Sequence, residues 1–365
     1  MSSDAPQNAD TLASGDVATD THQSAAQEAF HGLPDHLVVT HILRSEYFDD
    51  PADLATLRVV SRAMRDTVAA TGLRFEELGE DEAVVLGILS ALQRRQRQGR
   101  LSYRGNLCAA AARSGQLEEL KLLRADGCPC NIRTSCAAAT GGHLEVLQWL
   151  RGNGRCPWNI RMCSAAAQGG HLEVLQWLRA NGCPWDTETC SGATHYGYLE
   201  VLQWARANGA PWNENTCKYA ALRGHLEVLQ WARANGCPWD EETCALVSWG
   251  GHLEVLQWAR ASGCPWNCGT CSTAALRGHL EVLQWARANG APWDENTCKY
   301  AALRGHLEML QWLRANRCPW DEETCALAAE GGQLEVLQWA HANGCPWDHR
   351  TCANAAEGGH FELLS

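Results

Sequence analysis

Lysine is nearly absent from this sequence of 365 residues, which contains only Lys121, Lys218 and Lys299. The acidic residues number 42 and the basic residues 30, which gives a formal net charge of -12. Proteins that bind nucleic acid through phosphate contacts carry the opposite charge. We therefore expect no nucleic-acid partner.

The sequence also lacks a long apolar run and a secretory signal. The longest plainly apolar stretch, residues 83–89, is far shorter than the ~20 residues that span a bilayer. The first twenty residues contain four aspartates and neither a basic nor an apolar region, unlike a signal peptide. We expect no membrane partner, and the 19 cysteines then favour a reducing compartment, cytoplasmic or nuclear.

What the sequence does contain is an internal repeat. An LEVLQW-like string recurs nine times at a nearly constant spacing, with one extra residue between the second and third copies. Both tryptophan and cysteine are abundant because they occupy columns of this repeat. The strings open at Leu117, Leu144, Leu172, Leu199, Leu226, Leu253, Leu280, Leu307 and Leu334.

One repeat, residues 237–263, predicts two short helices. Asp240 is suited to cap the first helix, which ends at the pair Gly250-Gly251. The second helix runs from about Leu253 to Ala261, and Gly263 follows it as a terminator. The period also fits a leucine-rich repeat, but the Ala, Arg, Glu and Gln content favours helices over strands.

The pattern TCxxAAxxGHLEVLQW resembles the helix-loop-helix part of ankyrin repeats over residues 105–365. The unit is six residues shorter than the usual ~33, which leaves little room for the projecting β-hairpin of that family. The resemblance implies an all-α fold, an α-solenoid of stacked repeats, and a protein-binding role without catalysis. No phosphate loop, nucleophile elbow or HExxH motif is present, so we expect neither an enzyme nor a cofactor.

The histidines and cysteines recur as columns rather than as unique clusters. Neighbouring copies of one column should lie ~10 Å apart, as packed helices do. That separation excludes a metal cluster or a disulfide within one column, so we interpret the cysteines as small core residues and expect no metal site. The histidine column comprises His143, His171, His225, His252, His279, His306 and His360.

Positions of the first helix that differ between copies are free of a shared packing role and are therefore candidates for binding a protein partner. We call the following set the variable stripe. Tyr, Trp and Arg concentrate binding energy at protein interfaces, although packing between first helices is an alternative use. Its members are His195, Tyr196, Lys218, Tyr219, Arg223, Leu246, Trp249, Arg277, Lys299, Tyr300 and Arg304.

Residues 31–75 resemble an F-box, with an ordered LPxxL, I-L, D-L, L and V-S set of anchors. They depart from that family by about four extra residues near 44–50 and by Met64 where Trp is usual. The resemblance implies docking on a Skp-type adaptor of a cullin ubiquitin ligase, and the alternative is a helical cap on the repeats. The implied adaptor-binding residues are Leu33, Pro34, Leu37, Ile42, Leu54 and Val60.

We thus predict four segments: a disordered tail at 1–30, the F-box-like segment at 31–75, a connecting helix with an Arg-rich linker at 76–104, and the solenoid at 105–365. The predicted function is non-enzymatic protein binding, as the substrate-recognition subunit of a ubiquitin ligase. The alternative is a plain ankyrin-repeat scaffold with no link to ubiquitin.

Overall fold

The computed structural model of the protein describes residues 79–153 and 158–360. The tail and the F-box-like segment, with its six predicted docking residues, lie outside this range. Tertiary contacts divide the chain into two compact units, Met1–Ala137 and Ala138–Ser365. Among the described residues there are 21 helices and no strands, which confirms the all-α fold class. No helix among them is long and apolar enough to cross a membrane.

From α3 to α20 the helices form nine pairs, a first helix and a second helix to each repeat, and α21 is the first helix that follows the ninth pair. A short loop separates the two helices of a pair, and a longer loop leads to the next pair. The bounds are α1 Glu80–Val85, α2 Leu89–Arg97, α3 Gly105–Arg113, α4 Leu117–Ala125, α5 Ile132–Gly141, α6 Leu144–Gly152, α7 Arg161–Gln168, α8 Leu172–Ala180, α9 Thr187–His195, α10 Leu199–Ala207, α11 Glu214–Leu222, α12 Leu226–Ala234, α13 Glu241–Gly250, α14 Leu253–Ala261, α15 Gly269–Arg277, α16 Leu280–Ala288, α17 Glu295–Leu303, α18 Leu307–Ala315, α19 Glu322–Glu330, α20 Leu334–Ala342 and α21 His349–Glu357.

The repeat at 237–263 has the predicted helices. Asp240 caps α13 in a capping box with Thr243, which satisfies amide groups that have no partner inside the helix. At the end of α14, the Cys264 amide donates to the Ala259 carbonyl over 2.9 Å and the Gly263 amide to Arg260 over 3.0 Å. This is a Schellman motif, and Gly263 adopts the left-handed φ of 81° that the motif requires.

Arg317 occupies the place of that glycine after α18, with a φ of 64°, and is the one non-glycine with positive φ among the described residues. A side chain in this region costs about 1 kcal/mol through its clash with the backbone. We expect Arg317→Gly to raise the free energy of unfolding by roughly 0.5–1 kcal/mol, measured by urea denaturation. An unchanged or lower midpoint would contradict this.

In the unit Ala138–Ser365, the first helices of successive repeats pack side by side, and each second helix packs on the first helix of its own repeat. The core is narrow because its residues are small. In α13 and α14, for example, Cys244, Val247, Val255, Leu256 and Ala259 are buried. Each short helix thus buries its apolar face on its neighbours, as solenoid repeats require.

Most of the described cysteines are core residues as predicted, although Cys352 is exposed and Cys130, Cys136 and Cys268 are half-buried. Buried cysteines of different columns also meet, which was not predicted from the sequence. A buried cysteine of a first helix meets the buried cysteine that precedes the first helix of the next repeat. Contact with the Cys183 thiol and burial raise the pKa of Cys163 far above its usual range, so the Cys163 thiol stays protonated, whereas the same contact lowers the pKa of Cys183. Such pairs are Cys108–Cys128, Cys163–Cys183, Cys217–Cys237, Cys244–Cys264, Cys298–Cys318 and Cys325–Cys345.

The histidine column links successive repeats. His252 Nε2 donates to the Leu222 carbonyl over 3.1 Å, and its ring lies against Gly224 of the preceding repeat. A Cβ atom at Gly224 would approach the ring to 2.6 Å. Glycine is required here for two reasons. The backbone has a φ of +74°, and the ring of the next repeat packs too closely to leave room for a side chain. In the described ranges, no group of three potential ligands could hold a metal ion.

The loop tryptophans form a second link. The Arg233 guanidinium lies over the Trp239 ring, with its Cζ 4.0 Å from the ring centroid. On its other side Trp239 meets Trp258 edge-on, at 5.9 Å between centroids. Such contacts join each second helix to the next one through cation–π and aromatic packing. The tryptophans placed in this way are Trp158, Trp185, Trp212, Trp239, Trp266, Trp293 and Trp320.

In the unit Met1–Ala137, the predicted single connecting helix at 76–104 is two helices, α1 and α2. The chain turns at Gly87, whose φ of 70° interrupts the helix. Both helices pack on α3, with Ala83, Leu89 and Leu92 buried. This break was not predicted, because the acidic start and basic end of the segment suit one continuous helix.

Candidate functional site

The variable stripe lies on the first helices of five successive repeats and on the residues that end them. His195 ends α9, and Tyr196 follows it directly. The other members lie in α11, α13, α15 and α17 or cap their ends. Four side chains are exposed, namely Tyr196, Arg223, Arg277 and Arg304, and five are half-buried, namely His195, Tyr219, Leu246, Trp249 and Tyr300.

The two lysines differ from the rest of the stripe because they are buried. Lys218 Nζ lies 2.8 Å from Asp240 Oδ2 and 2.6 Å from Glu242 Oε2, two carboxylates of the next repeat. Lys299 makes the same pair of contacts with Asp321 and Glu323, again at 2.8 and 2.6 Å. The structure therefore gives both lysines a role inside the chain, as ion-pair links between repeats.

Burial opposes the charged form of Lys299, but hydrogen bonds and the negative charges of Asp321 and Glu323 outweigh it and raise the pKa of its ammonium group. The same causes raise the pKa of Lys218. These links are therefore fully charged at neutral pH, and they would weaken only as the pH rises above the ordinary lysine range.

Trp249 is the one tryptophan outside the repeat columns. The Arg277 guanidinium of the next repeat lies over its ring, with Cζ 5.1 Å from the centroid. Its backbone carbonyl accepts a hydrogen bond from His279 Nε2 over 3.1 Å. The half-buried ring thus forms, with Arg277, an aromatic and cationic patch on the first-helix side.

A second aromatic group surrounds the end of α9. The His195 ring meets Tyr196 at 4.7 Å and Tyr219 at 5.5 Å between centroids, both edge-on. The Arg223 guanidinium donates to His195 Nε2 over 3.0–3.2 Å. Burial and the Arg223 charge lower the pKa of His195, so this ring is neutral at pH 7 and carries its proton on Nδ1.

Beside these rings lies a recess with a volume of about 230 Å³, lined by residues of α7, α9 and α11 together with Tyr196. Glu188, Ser191 and Gly192 form part of its wall. They were not among the predicted site residues. The signal that could have revealed them is Gly192, which stands where the next repeats carry Tyr219 and Leu246.

Two stretches of the chain match a known repeat family. Residues 190–233 and 271–314, about a quarter of the chain, match the family model of ankyrin repeats in many copies. A crystal structure of the human ASB11 ankyrin repeat domain is similar at 20% identity, covering 43% of this chain and 84% of that one, with a TM-score of 0.37. No curated protein matches the sequence. The chain therefore carries ankyrin repeats, matched at 190–233 and 271–314.

Proposed function

We propose that the first-helix side of the repeats, between about residues 188 and 304, binds a protein partner. The observation that carries this proposal is that aromatic and arginine side chains remain accessible there after the repeats have stacked. Tyr196, Arg223 and Arg277 are exposed, and Trp249 is half-buried. Stacking explains the constant positions of the repeat, but it does not require these residues to differ from copy to copy.

The chemistry of this surface is that of a protein interface. Tyrosine, tryptophan and arginine are enriched among residues whose truncation weakens protein complexes by about 2 kcal/mol or more. Ankyrin repeats are interaction modules, which supports binding without catalysis as the role of this chain. The two buried lysines of the variable stripe are not part of the proposed surface, because their ammonium groups are held by the chain itself.

Affinity purification with the full chain tests this proposal. The variant Arg223→Ala/Trp249→Ala removes two side chains from the first-helix side. We expect it to bind the captured partner at least tenfold more weakly, because two hot-spot contacts are lost. The matched control Gln230→Ala/Gln257→Ala removes two exposed side chains from second helices and should bind like the wild type.

Equal retention of the partner by both variants would refute the proposed surface. The urea midpoint of Arg223→Ala/Trp249→Ala should also be measured, since the Trp249 ring contacts Arg277 of the next repeat. A lowered urea midpoint would show that the variant loses its partner because the repeats have unfolded.

The finer proposal is that the partner is the target of a ubiquitin ligase. It is supported by the ordered F-box-like anchors of residues 31–75 alone. It predicts that a Skp-type adaptor co-purifies with the full chain and is lost in the variant Leu33→Ala/Pro34→Ala, while the partner of the repeats is retained. Absence of any such adaptor from the wild-type complex would leave the plain scaffold as the function.

A further inference from the structure

The recess beside α9 lies where one repeat carries a glycine. The position two residues after the first-helix cysteine is Gly192 here, Ala165 in the preceding repeat, and Tyr219, Leu246, Thr273 and Tyr300 in the four repeats that follow. A Cβ atom at Gly192 would lie 2.9 Å from the Gln168 side chain and 3.2 Å from the Ser164 carbonyl, so α9 packs tightly on α7 at this point. A larger residue would have to displace Gln168, which lines the recess, and would crowd the recess itself.

The walls of the recess combine aromatic rings with one carboxylate. His195, Tyr196 and Tyr219 contribute rings, and Glu188 contributes the negative charge. His195 is neutral for the reasons given above, and Arg223 is not among the lining residues. Aromatic faces together with a carboxylate attract cations, and the attraction grows as the cation loses water.

Ser191 also contributes to the wall of the recess. The residue is only 1% exposed, and its Oγ is closed off from solvent, with no hydrogen-bond partner in the described residues. This hydroxyl is therefore part of the packed wall, and the binding chemistry of the recess comes from the rings and from Glu188.

The chain itself shows what the carboxylate at the Glu188 position binds. Its counterparts two and five repeats later, Glu242 and Glu323, each hold a lysine ammonium group at 2.6 Å, together with the aspartate two residues before. The pair Asp186 and Glu188 repeats this arrangement. The preceding repeat, however, offers Ser164 where a lysine stands in the other two cases.

From these observations we infer that the recess formed by Glu188, Ser191, Gly192, His195, Tyr196 and Tyr219 takes a lysine side chain of the protein partner. The ammonium group would bind Glu188, as Lys218 binds Glu242, and the aliphatic stem would lie against the rings. The inference rests on the proposed function and specifies one anchor point of that surface.

A lysine residue with blocked ends, N-acetyl-lysine-N-methylamide, is the probe for the full-length chain. Titration followed by saturation-transfer NMR should show binding with a Kd on the order of millimolar, as befits so small a ligand. The norleucine analogue, which has the same stem without the ammonium group, should bind at least fivefold more weakly. Equal binding of the two probes would overturn the inference.

Substitutions in the recess test whether the lysine probe binds there. Glu188→Gln should weaken binding at least fivefold, and Tyr219→Leu, which introduces the residue of the next repeat, should weaken it two- to fivefold. Gly192→Tyr should abolish it by filling the recess. The matched control is Glu242→Gln, which should leave binding unchanged because Lys218 already occupies that position. Unchanged binding in Glu188→Gln would refute the site even if Gly192→Tyr failed to fold.

The two proposals fail in different ways. If the lysine probe does not bind but the partner is still lost in Arg223→Ala/Trp249→Ala, the recess is not the anchor and the proposed surface stands. If the probe binds as expected but that variant keeps its partner, the recess binds lysine and the proposed surface is wrong.

Discussion

Replacing Gly224 with alanine is expected to lower the free energy of unfolding by about 3 kcal/mol. Part of this loss, about 1 kcal/mol, arises because Gly224 has a φ of +74° that an alanine adopts only with strain. The rest, about 2 kcal/mol, arises because the new Cβ would lie 2.6 Å from Nδ1 of His252. The ring cannot simply move away, since its Nε2 donates to the Leu222 carbonyl.

Gly236→Ala is the matched control for this prediction. Gly236 ends the second helix of the same repeat with a φ of +82°, but a Cβ atom there would have nothing within 4 Å. Its loss should be limited to about 1 kcal/mol, the cost of the backbone conformation alone. Urea denaturation of the full chain, followed by circular dichroism, measures both. Equal losses for the two variants would show that the histidine contact does not hold the repeats together.

The repeat pattern predicted the local structure well because local rules decide it. Asp240 at the start of α13 and Gly263 after α14 are sufficient to place both ends of the pair, and the constant spacing of the repeat extends the result along the chain. The helix break at Gly87 was not predicted, because a single glycine inside a charged segment can be tolerated within a continuous helix. Its positive φ becomes evident only when both flanking helices are seen to pack on α3.

Contacts between repeats were harder to predict because they join residues that occupy different positions of the repeat. The spacing within the cysteine column excluded contacts between equivalent cysteines, and it gave no sign that Cys163 meets Cys183, which belongs to the other column. In the same way, Lys218 was predicted to lie at the binding surface because it varies between copies. The acidic pair that accompanies it in the next repeat, Asp240 and Glu242, was the signal that it is buried.

The burial of Lys218 leads to the second large effect. The double substitution Asp240→Asn/Glu242→Gln keeps the shape of both side chains and removes their charges. It leaves the ammonium group of Lys218, whose side chain is only 11% exposed, without a counter-ion. We expect a loss of about 3 kcal/mol in the free energy of unfolding, since breaking a buried pair from one side leaves an uncompensated charge.

The opposite substitution, Lys218→Met, should be nearly neutral, within about 1 kcal/mol. It leaves behind Asp240 and Glu242, whose side chains are 35% and 69% exposed and can be hydrated instead. The methionine stem also fills the space of the lysine stem. This asymmetry distinguishes a buried lysine that needs its partners from an ordinary surface ion pair, for which both changes would be small.

Asp186→Asn/Glu188→Gln is the internal control for the double substitution. It makes the same two changes at the same helix positions, and asparagine caps a helix as well as aspartate does, as Asn213 shows in the next repeat. The preceding repeat contributes Ser164 there instead of a lysine, so we expect a change below about 1 kcal/mol in urea denaturation. Equal losses at the two sites would mean that the carboxylates stabilise their own helix and not the buried ammonium group. A large loss confined to Asp240 and Glu242 would establish Lys218 as a link between repeats, and would leave Glu188 available for a lysine from another protein.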